Sequence, residues 1–477
     1  MSSARTPMRG AAPPAGAWTP DLRRWGKPHY LAIVEAIAED LRNGGLAVGQ
    51  RLPPQRVLAE RLDLNFTTVA RGYVEAGRRG LVEARVGQGT FVREPARRDA
   101  AGRPTGTRRD GPVDFTMNLP PEPDDPVLLA RMQAGLAAVS DDLPNLLRYQ
   151  GFGGTGEDKA AAMRWLARRG VAAVHDRLLI CPGAHSALDA ILGAVAQAGD
   201  VVCAEALTYA GIRALAAHRG LRLVGLPMDR EGLEPDAFAA ACTRLAPKAL
   251  YLNPILQNPT TRTIPRARRE AIVAVARRYA VTIIEDDAYG FICPKPPPSF
   301  SGLAPEITYY VGGLAKCLGA GLRLAYLVAP SARAALPLTS ALRAATVMAS
   351  PITTALATRW IEDGTGDAVL EFIRTESRAR QAIAARLLTD AVIHADPNGF
   401  HLWLSLPEGW TRSAFASQGR SAGLGVVASD AFCTAGAAPE AVRLCLGGLA
   451  TRAEVTQSLE VLAHALSGSP ALASACI

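Results

Sequence analysis

The eight cysteines of this chain are scattered from Cys181 to Cys476, with no CxxC pair and no cluster of its seven histidines. Neither a zinc site nor a disulfide framework has its signature here, so a reducing cytosol is the simplest setting. No apolar run reaches the roughly 18 residues that a membrane-spanning helix needs. The first twenty residues, MSSARTPMRGAAPPAGAWTP, lack the apolar centre of a secretion signal and read as the start of a disordered tail over 1–25. No fixed-period repeat occurs, which excludes a solenoid. Acidic residues are outnumbered, 44 against 52 basic, for a net charge of +8. The excess is uneven, with Arg97, Arg98, Arg103, Arg108 and Arg109 near one another. A basic end on a more balanced body points to nucleic acid, with plain solvated charge as the alternative.

What is present fits more than one domain, since 477 residues exceed a single core. Near the amino end, YLAIVEAIAEDLRN places Leu31, Val34, Ile37, Ala38 and Leu41 on one helical face, and Gly44-Gly45 stops it. LPPQRVLAERL and NFTTVARGYVEAGRRG follow, separated at Asp63-Leu64, as two helices with a tight connection: the outline of a helix-turn-helix. Asn65 is placed to cap the second helix, and Thr67 and Thr68 to reach phosphates or base edges. LVEARVGQGTFV reads as two short strands around Gly87-Gln88-Gly89, a hairpin whose bare backbone suits a groove. A small protein-binding module would share the helices. The order of helix, PPxR, helix-turn-helix and GxGTFV hairpin is more specific.

That order resembles the winged helix-turn-helix of GntR-type bacterial regulators, which carry the same Pro-Pro-x-Arg and Gly-x-Gly-Thr-Phe-Val signatures. The resemblance implies a head over 26–93 that binds double-stranded DNA at paired half-sites through Arg56, Asn65, Thr67, Thr68 and the wing at Gly87, Gln88 and Gly89. Many relatives have arginine where this chain has Phe66. Arg71 on the same helix is the alternative source of charge. Phe66 either meets a thymine methyl or packs inward, and inward packing is the first expectation.

Residues 94–112, rich in Arg, Gly and Pro without apolar periodicity, read as a basic flexible linker. From Val113 to 477 apolar strands such as VVCAEA, RLVGL, ALYLN and VTIIEDD alternate with Ala- and Arg-rich helical stretches. This is an α/β body with a largely parallel sheet, whose ligand belongs beyond the carboxyl ends of the strands.

Polar residues stand at those ends. Gly183, Ala184 and His185 open a helix after a strand, where free amides cradle phosphate. Tyr209 offers a ring face to a planar heterocycle, or is an ordinary core aromatic. Asn258, stiffened by Pro259, suits a phenolate-like oxygen, or marks a plain turn. Asp286 ends a buried strand and needs a cationic partner to stay charged. Tyr289 follows three residues on. In YYVGGLAKCLGAGLRLAYLVAP, strand, tight loop and strand hold Lys316 among Gly312, Gly313, Ala315 and Gly319, placed to form a Schiff base with a flat ligand. Arg323 returns toward the same place with a fixed positive charge.

In that order these residues resemble the fold type I aminotransferases across about residues 115 to 465. The resemblance implies a large α/β domain with a mostly parallel sheet, a small α+β domain, and pyridoxal 5′-phosphate as cofactor. It implies Lys316 as the imine-forming lysine, Asp286 on the pyridine nitrogen, Asn258 and Tyr289 on the ring oxygen, and Tyr209 against the ring. Gly183, Ala184, His185 and Arg323 would hold the phosphate. Arg443 resembles the arginine that binds a substrate carboxylate, and Tyr149 the tyrosine that reaches a neighbouring subunit's phosphate in a homodimer. Gly313 and Ala315 stand where relatives carry serine, Asp158-Lys159 replace Leu-Arg, and Thr261 replaces a glycine. A GntR-type head on such a body resembles the MocR-type regulators, which use the body to sense cofactor or an amine effector. Transamination of amino acids is the alternative activity.

Overall fold

The structure is a computed structural model, and it describes residues 18–25, 28–43, 45–47, 49–79, 81–85, 89–93, 113–389 and 391–468. Its contacts divide the chain into two compact units, Met1–Asp110 and Gly111–Ile477.

In the first unit, helices α1 (His29–Asn43), α2 (Gln55–Leu62) and α3 (Phe66–Arg78) precede an antiparallel hairpin of β1 (Val82–Arg85) and β2 (Gly89–Val92). Ile33, Val34 and Ile37 of α1 close on Leu58, Val69, Tyr73 and Val92, all buried. Asp63, in the left-handed region at φ 51°, ends α2, and the Asn65 side chain accepts from the Thr67 amide at 2.9 Å to begin α3. Of the tail expected over 1–25, only residues 18–25 are among the described residues, and these are ordered against the core. Trp18 is buried in the core of this unit and its indole donates to Asp40 at 2.7 Å, while Leu22–Trp25 form a 3₁₀ turn. Burying a whole indole outweighs the local preference of a Pro- and Ala-rich stretch for disorder.

The second unit is built on a seven-stranded sheet. Its strands are β3 (Leu178–Cys181), β4 (Val201–Glu205), β5 (Arg222–Leu226), β6 (Ala249–Leu252), β7 (Thr282–Asp286), β8 (Thr308–Gly313) and β9 (Ala325–Val328). The order is β3-β9-β8-β7-β6-β4-β5, and β9 pairs antiparallel with both its neighbours while β8, β7, β6, β4 and β5 pair in parallel. Most strand residues are buried, as parallel strands covered on both faces require. Helix α4 (Ala184–Val195) lies over one face, sharing a core with Leu179, Val202, Tyr251 and Val311. A smaller antiparallel sheet joins β10 (Val392–Ala395), β11 (His401–Ser405), β12 (Val427–Ala428) and β13 (Ala441–Cys445) in the order β10-β11-β13-β12. Helices α5 (Thr365–Leu387) and α6 (Arg452–Ser467) contribute Ala384, Val455 and Leu459 to its core. The stretch 113–121 runs along this sheet: Phe115 donates to Gly425 and accepts from the Cys445 amide, both at 3.0 Å.

Candidate cofactor site and nucleic-acid interface

The carboxyl ends of the parallel strands gather the residues of the site. Asp286 closes β7, and its Oδ2 accepts from the Tyr251 hydroxyl at 2.7 Å. Its Oδ1 is buried with no hydrogen-bond partner among the described residues. Burial pushes the carboxyl up to about 6 against the pull of the Tyr251 bond. A buried carboxylate oxygen aimed into a site without a partner is set up for a cation.

Lys316 ends the short 3₁₀ turn Leu314–Lys316 directly after β8. Burial lowers its amine to about 8, bringing the free base within reach of neutral pH. Its Nζ donates to the backbone carbonyl of Asn118. The Asn118 side chain donates to the Tyr289 hydroxyl at 2.7 Å, and its own Oδ1 is buried without a partner among the described residues. Nothing in the stretch MNLP flagged Asn118 as a site residue.

Arg443, on β13, is buried rather than a surface strand arginine. Its Nη1 donates to Asn258 Oδ1 at 2.8 Å, its Nη2 to the Thr116 carbonyl at 2.6 Å, and its guanidinium lies 4.9 Å from the centre of the Phe432 ring. One guanidinium thus joins Asn258 to the stretch after residue 112. His401 packs 5.4 Å from the Tyr289 ring. Burial, with Arg443 adding to it, depresses His401 to about 3. The neutral ring therefore directs an Nε2–H toward the Gln257 carbonyl, 3.2 Å away.

The remaining residues frame an anion cradle. Gly183 begins α4 at φ +94°, and a Cβ there would meet the Arg323 guanidinium at 3.3 Å, so the arginine lies against the helix start. Ala184 and His185 form the first turn, and the His185 ring meets Tyr209 edge-on at 6.5 Å. Burial and the nearby Asp286 raise the Tyr209 hydroxyl. Among the described residues no carboxylate pairs with Arg323. A helix N-terminus and an uncompensated arginine side by side suit a phosphate. Thr261 adopts φ +62°, in the left-handed region. Thr155 caps the helix Gly156–Ala167 and Asp158 completes its capping box, while Lys159 donates to the His175 carbonyl at 3.0 Å. Tyr149 stands apart: it is 83% exposed.

In the first unit, Arg56 is exposed on α2 with its guanidinium 5.8 Å from the Phe66 ring centre. Phe66 does not pack inward but is 44% exposed. Val69, Tyr73 and Ala76 already fill the core side of α3 and leave its first residue outside. Arg71 stacks on Tyr30, 4.0 Å from the ring centre. Thr68 is half-buried and Thr67 exposed, its hydroxyl bonded to Asn65 Oδ1 at 2.8 Å. Gly89 has φ +114°, and a Cβ there would strike the Arg51 guanidinium at 2.8 Å, so the base of the wing carries a cation. Gly87 and Gln88 lie outside the described residues.

A seven-stranded, mostly parallel sheet with this lysine, aspartate and helix-start cradle at its carboxyl edge defines a fold type I aminotransferase body. Residues 112–462 match the family described as aminotransferase class I and II, and the chain belongs to it. Residues 29–92 match the bacterial regulatory proteins of the gntR family, which makes the whole a MocR-type fusion. The chain is 28% identical to the uncharacterized HTH-type transcriptional regulator YdeF of Bacillus subtilis over 94% of this chain and 97% of that one. It is 28% identical to the probable rhizopine catabolism regulatory protein MocR of Rhizobium meliloti, over 64% of this chain and 66% of that one. Among solved structures it resembles LysN, the alpha-aminoadipate aminotransferase of Thermus thermophilus, with a TM-score of 0.68 at 24% identity, covering 76% of this chain and 94% of that chain.

Proposed function

We propose that this protein is a DNA-binding transcriptional regulator whose body binds pyridoxal 5′-phosphate and conveys the presence of that cofactor, or of an amine or amino acid effector, to the DNA-binding head. The residues fit the cofactor. The unpartnered Oδ1 of Asp286 would hold a protonated ring nitrogen, Asn258 and Tyr289 would hold the ring oxygen, and Tyr209 would pack against the ring. Gly183, Ala184, His185 and Arg323 take the phosphate. When bound, the cofactor supplies an aldehyde that condenses with amines. Lys316 offers the amine, and Arg443 a fixed charge for an effector's carboxylate.

The observation that carries the regulatory reading is the set of bonds on the stretch 113–121, which directly follows residues 94–112. That stretch accepts from Lys316 through Asn118, accepts from Arg443 through Thr116, and donates to Tyr289 through the Asn118 side chain. A ligand that engages Lys316 takes the donor from the Asn118 carbonyl. A carboxylate on Arg443 competes with the Thr116 carbonyl. Occupancy of the site therefore competes for the bonds that fix the segment leading to the head, which couples ligand to segment. In a cytoplasmic homodimer this alters the arrangement of two heads, and so affinity for paired half-sites.

The test is selection of fragmented genomic DNA by the purified full-length protein with and without pyridoxal phosphate. Cofactor-dependent occupancy of discrete paired sites is expected, and Lys316→Ala should abolish the dependence while leaving DNA binding itself. Unchanged cofactor dependence in that variant would overturn the coupling. The retention of Lys316, Asp286 and Arg443 in one site favours a second reading, transamination of amino acids. It predicts keto acid in excess of protein when amino donor and acceptor are supplied.

A further inference from the structure

The solvent face of α3 is unusual in what it offers. At helical spacing that face comprises Phe66, Thr67, Ala70, Arg71, Val74, Gly77 and the terminal Arg78. Phe66 is 44% and Val74 60% exposed, with Ala70 half-buried between them. Each base edge in the major groove has preferred partners: Arg or Lys for guanine, Asn or Gln for adenine, Asp or Glu for cytosine, and an apolar group for the thymine methyl. This face has no Asn, Gln, Asp, Glu or Lys. Its charged residues by this spacing are Arg71, which is stacked on Tyr30 of α1, and Arg78 at the far end of the helix. The hydroxyl of Thr67 is tied to Asn65.

Charge complementarity says what covers the apolar stripe. Beside it Arg56 and Arg71 are exposed, and among the described residues Arg56 has no carboxylate partner, its guanidinium resting beside the Phe66 ring. Glu60 and Asp63 line the same groove between α2 and α3 as Arg56 and Phe66, together with Leu64 and Asn65. A flanking arginine that holds phosphate seats the start of α3 against base edges, as in other helix-turn-helix heads.

We infer that the head reads thymine, with the 5-methyl groups of the major groove packing on Phe66 and Val74. This rests on the DNA-binding reading above and narrows it to a base. Eight residues of helix span about 12 Å, so the contacted thymines are separated by roughly three to four base-pair steps. Phe66 at the head of α3 makes the dominant contact, because N-terminal residues of a recognition helix reach deepest.

The experiment uses full-length protein and duplexes selected from a random library, remade with 2′-deoxyuridine in place of thymidine at one position at a time. Uracil keeps the pairing and both hydrogen-bonding edges and removes only the methyl. At the contacted positions binding should weaken about fourfold per methyl, the factor for one buried methyl-sized group. Phe66→Ala should bind the thymine duplex as weakly as wild type binds the uracil one, with no further loss on uracil and an unchanged salt slope. Val74→Ala should do the same at the second position. A half-site in which no uracil substitution weakens binding overturns the inference, as does a Phe66→Ala protein as uracil-sensitive as wild type. If instead Phe66→Ala and Val74→Ala leave DNA binding intact and abolish self-association, the stripe is a protein contact and the inference falls. Selection of no sequence at all, with only salt-labile binding, overturns the DNA-regulator reading itself.

Discussion

Asp286 and Lys316 carry opposite electrostatic burdens from the same cause. Burial raises the carboxyl to about 6 and lowers the amine to about 8. Each shift disfavours the charged form, and a cationic ring nitrogen beside Oδ1 would relieve the first. Asp286→Asn keeps the shape and the Tyr251 contact but cannot serve as the anion. Cofactor affinity, followed by visible absorbance, should fall on the order of 10- to 100-fold, the worth of one hydrogen bond to a charged group. Condensation with an aldehyde needs the free amine of Lys316. With a folded value about 8, that fraction rises from about a tenth at pH 7 to about nine-tenths at pH 9. The rate of cofactor loading should therefore climb about tenfold over that interval and level off above it. A rate still rising steeply beyond pH 10 would place the amine near an ordinary lysine and remove burial as its controlling influence.

Among the elements, the stretch 113–121 joins the large sheet, the small sheet and the site, and Gly447 gives it room. A Cβ on Gly447 would lie 1.7 Å from the Leu119 carbonyl oxygen and 2.7 Å from its carbon, both backbone atoms. Gly447→Ala must displace the stretch that holds Asn118. Cofactor binding should weaken roughly 5- to 30-fold, the equivalent of one or two kcal/mol. Gly156→Ala, where the added carbon meets open space, is the matched control and should leave binding unchanged. Isothermal titration of both variants separates a local steric effect from a general loss of fold. The same stretch marks the boundary of what the sequence discloses. Asp286, Lys316 and the Gly183 turn were legible because each sits in its own local pattern of strand end, glycine loop or helix start. Thr116 and Asn118 were not, because they act through backbone carbonyls that any residue has. Their partners Arg443 and Lys316 lie 327 and 198 residues away. Phe66 misled for a related reason. An apolar residue at the edge of an amphipathic helix belongs to the core only if the core has room, and Val69, Tyr73 and Ala76 had taken it.

At the scale of the molecule, Tyr149 is the residue whose role a single chain does not supply. It is 83% exposed. If two chains pair with Tyr149 of each directed to the phosphate of the other, the site is shared, and sharing has a genetic signature. Tyr149→Phe alone should weaken cofactor binding on the order of 10- to 100-fold, because one charge-assisted hydrogen bond is lost. Lys316→Ala alone should abolish imine formation. Co-expressing the two variants yields mixed dimers in which one site combines Lys316 from one chain with Tyr149 from the other. About half of the Lys316-bearing sites should then regain wild-type affinity, given random pairing of chains. A biphasic absorbance titration of the co-expressed protein is the expected result. A single weak phase, identical to that of Tyr149→Phe alone, would mean that Tyr149 serves no partner, and the exposed ring would need a different account. Restoration matters for regulation as well. A site completed by the second chain would bind cofactor more tightly in the dimer, so cofactor and the paired arrangement of DNA heads would stabilise one another by linkage.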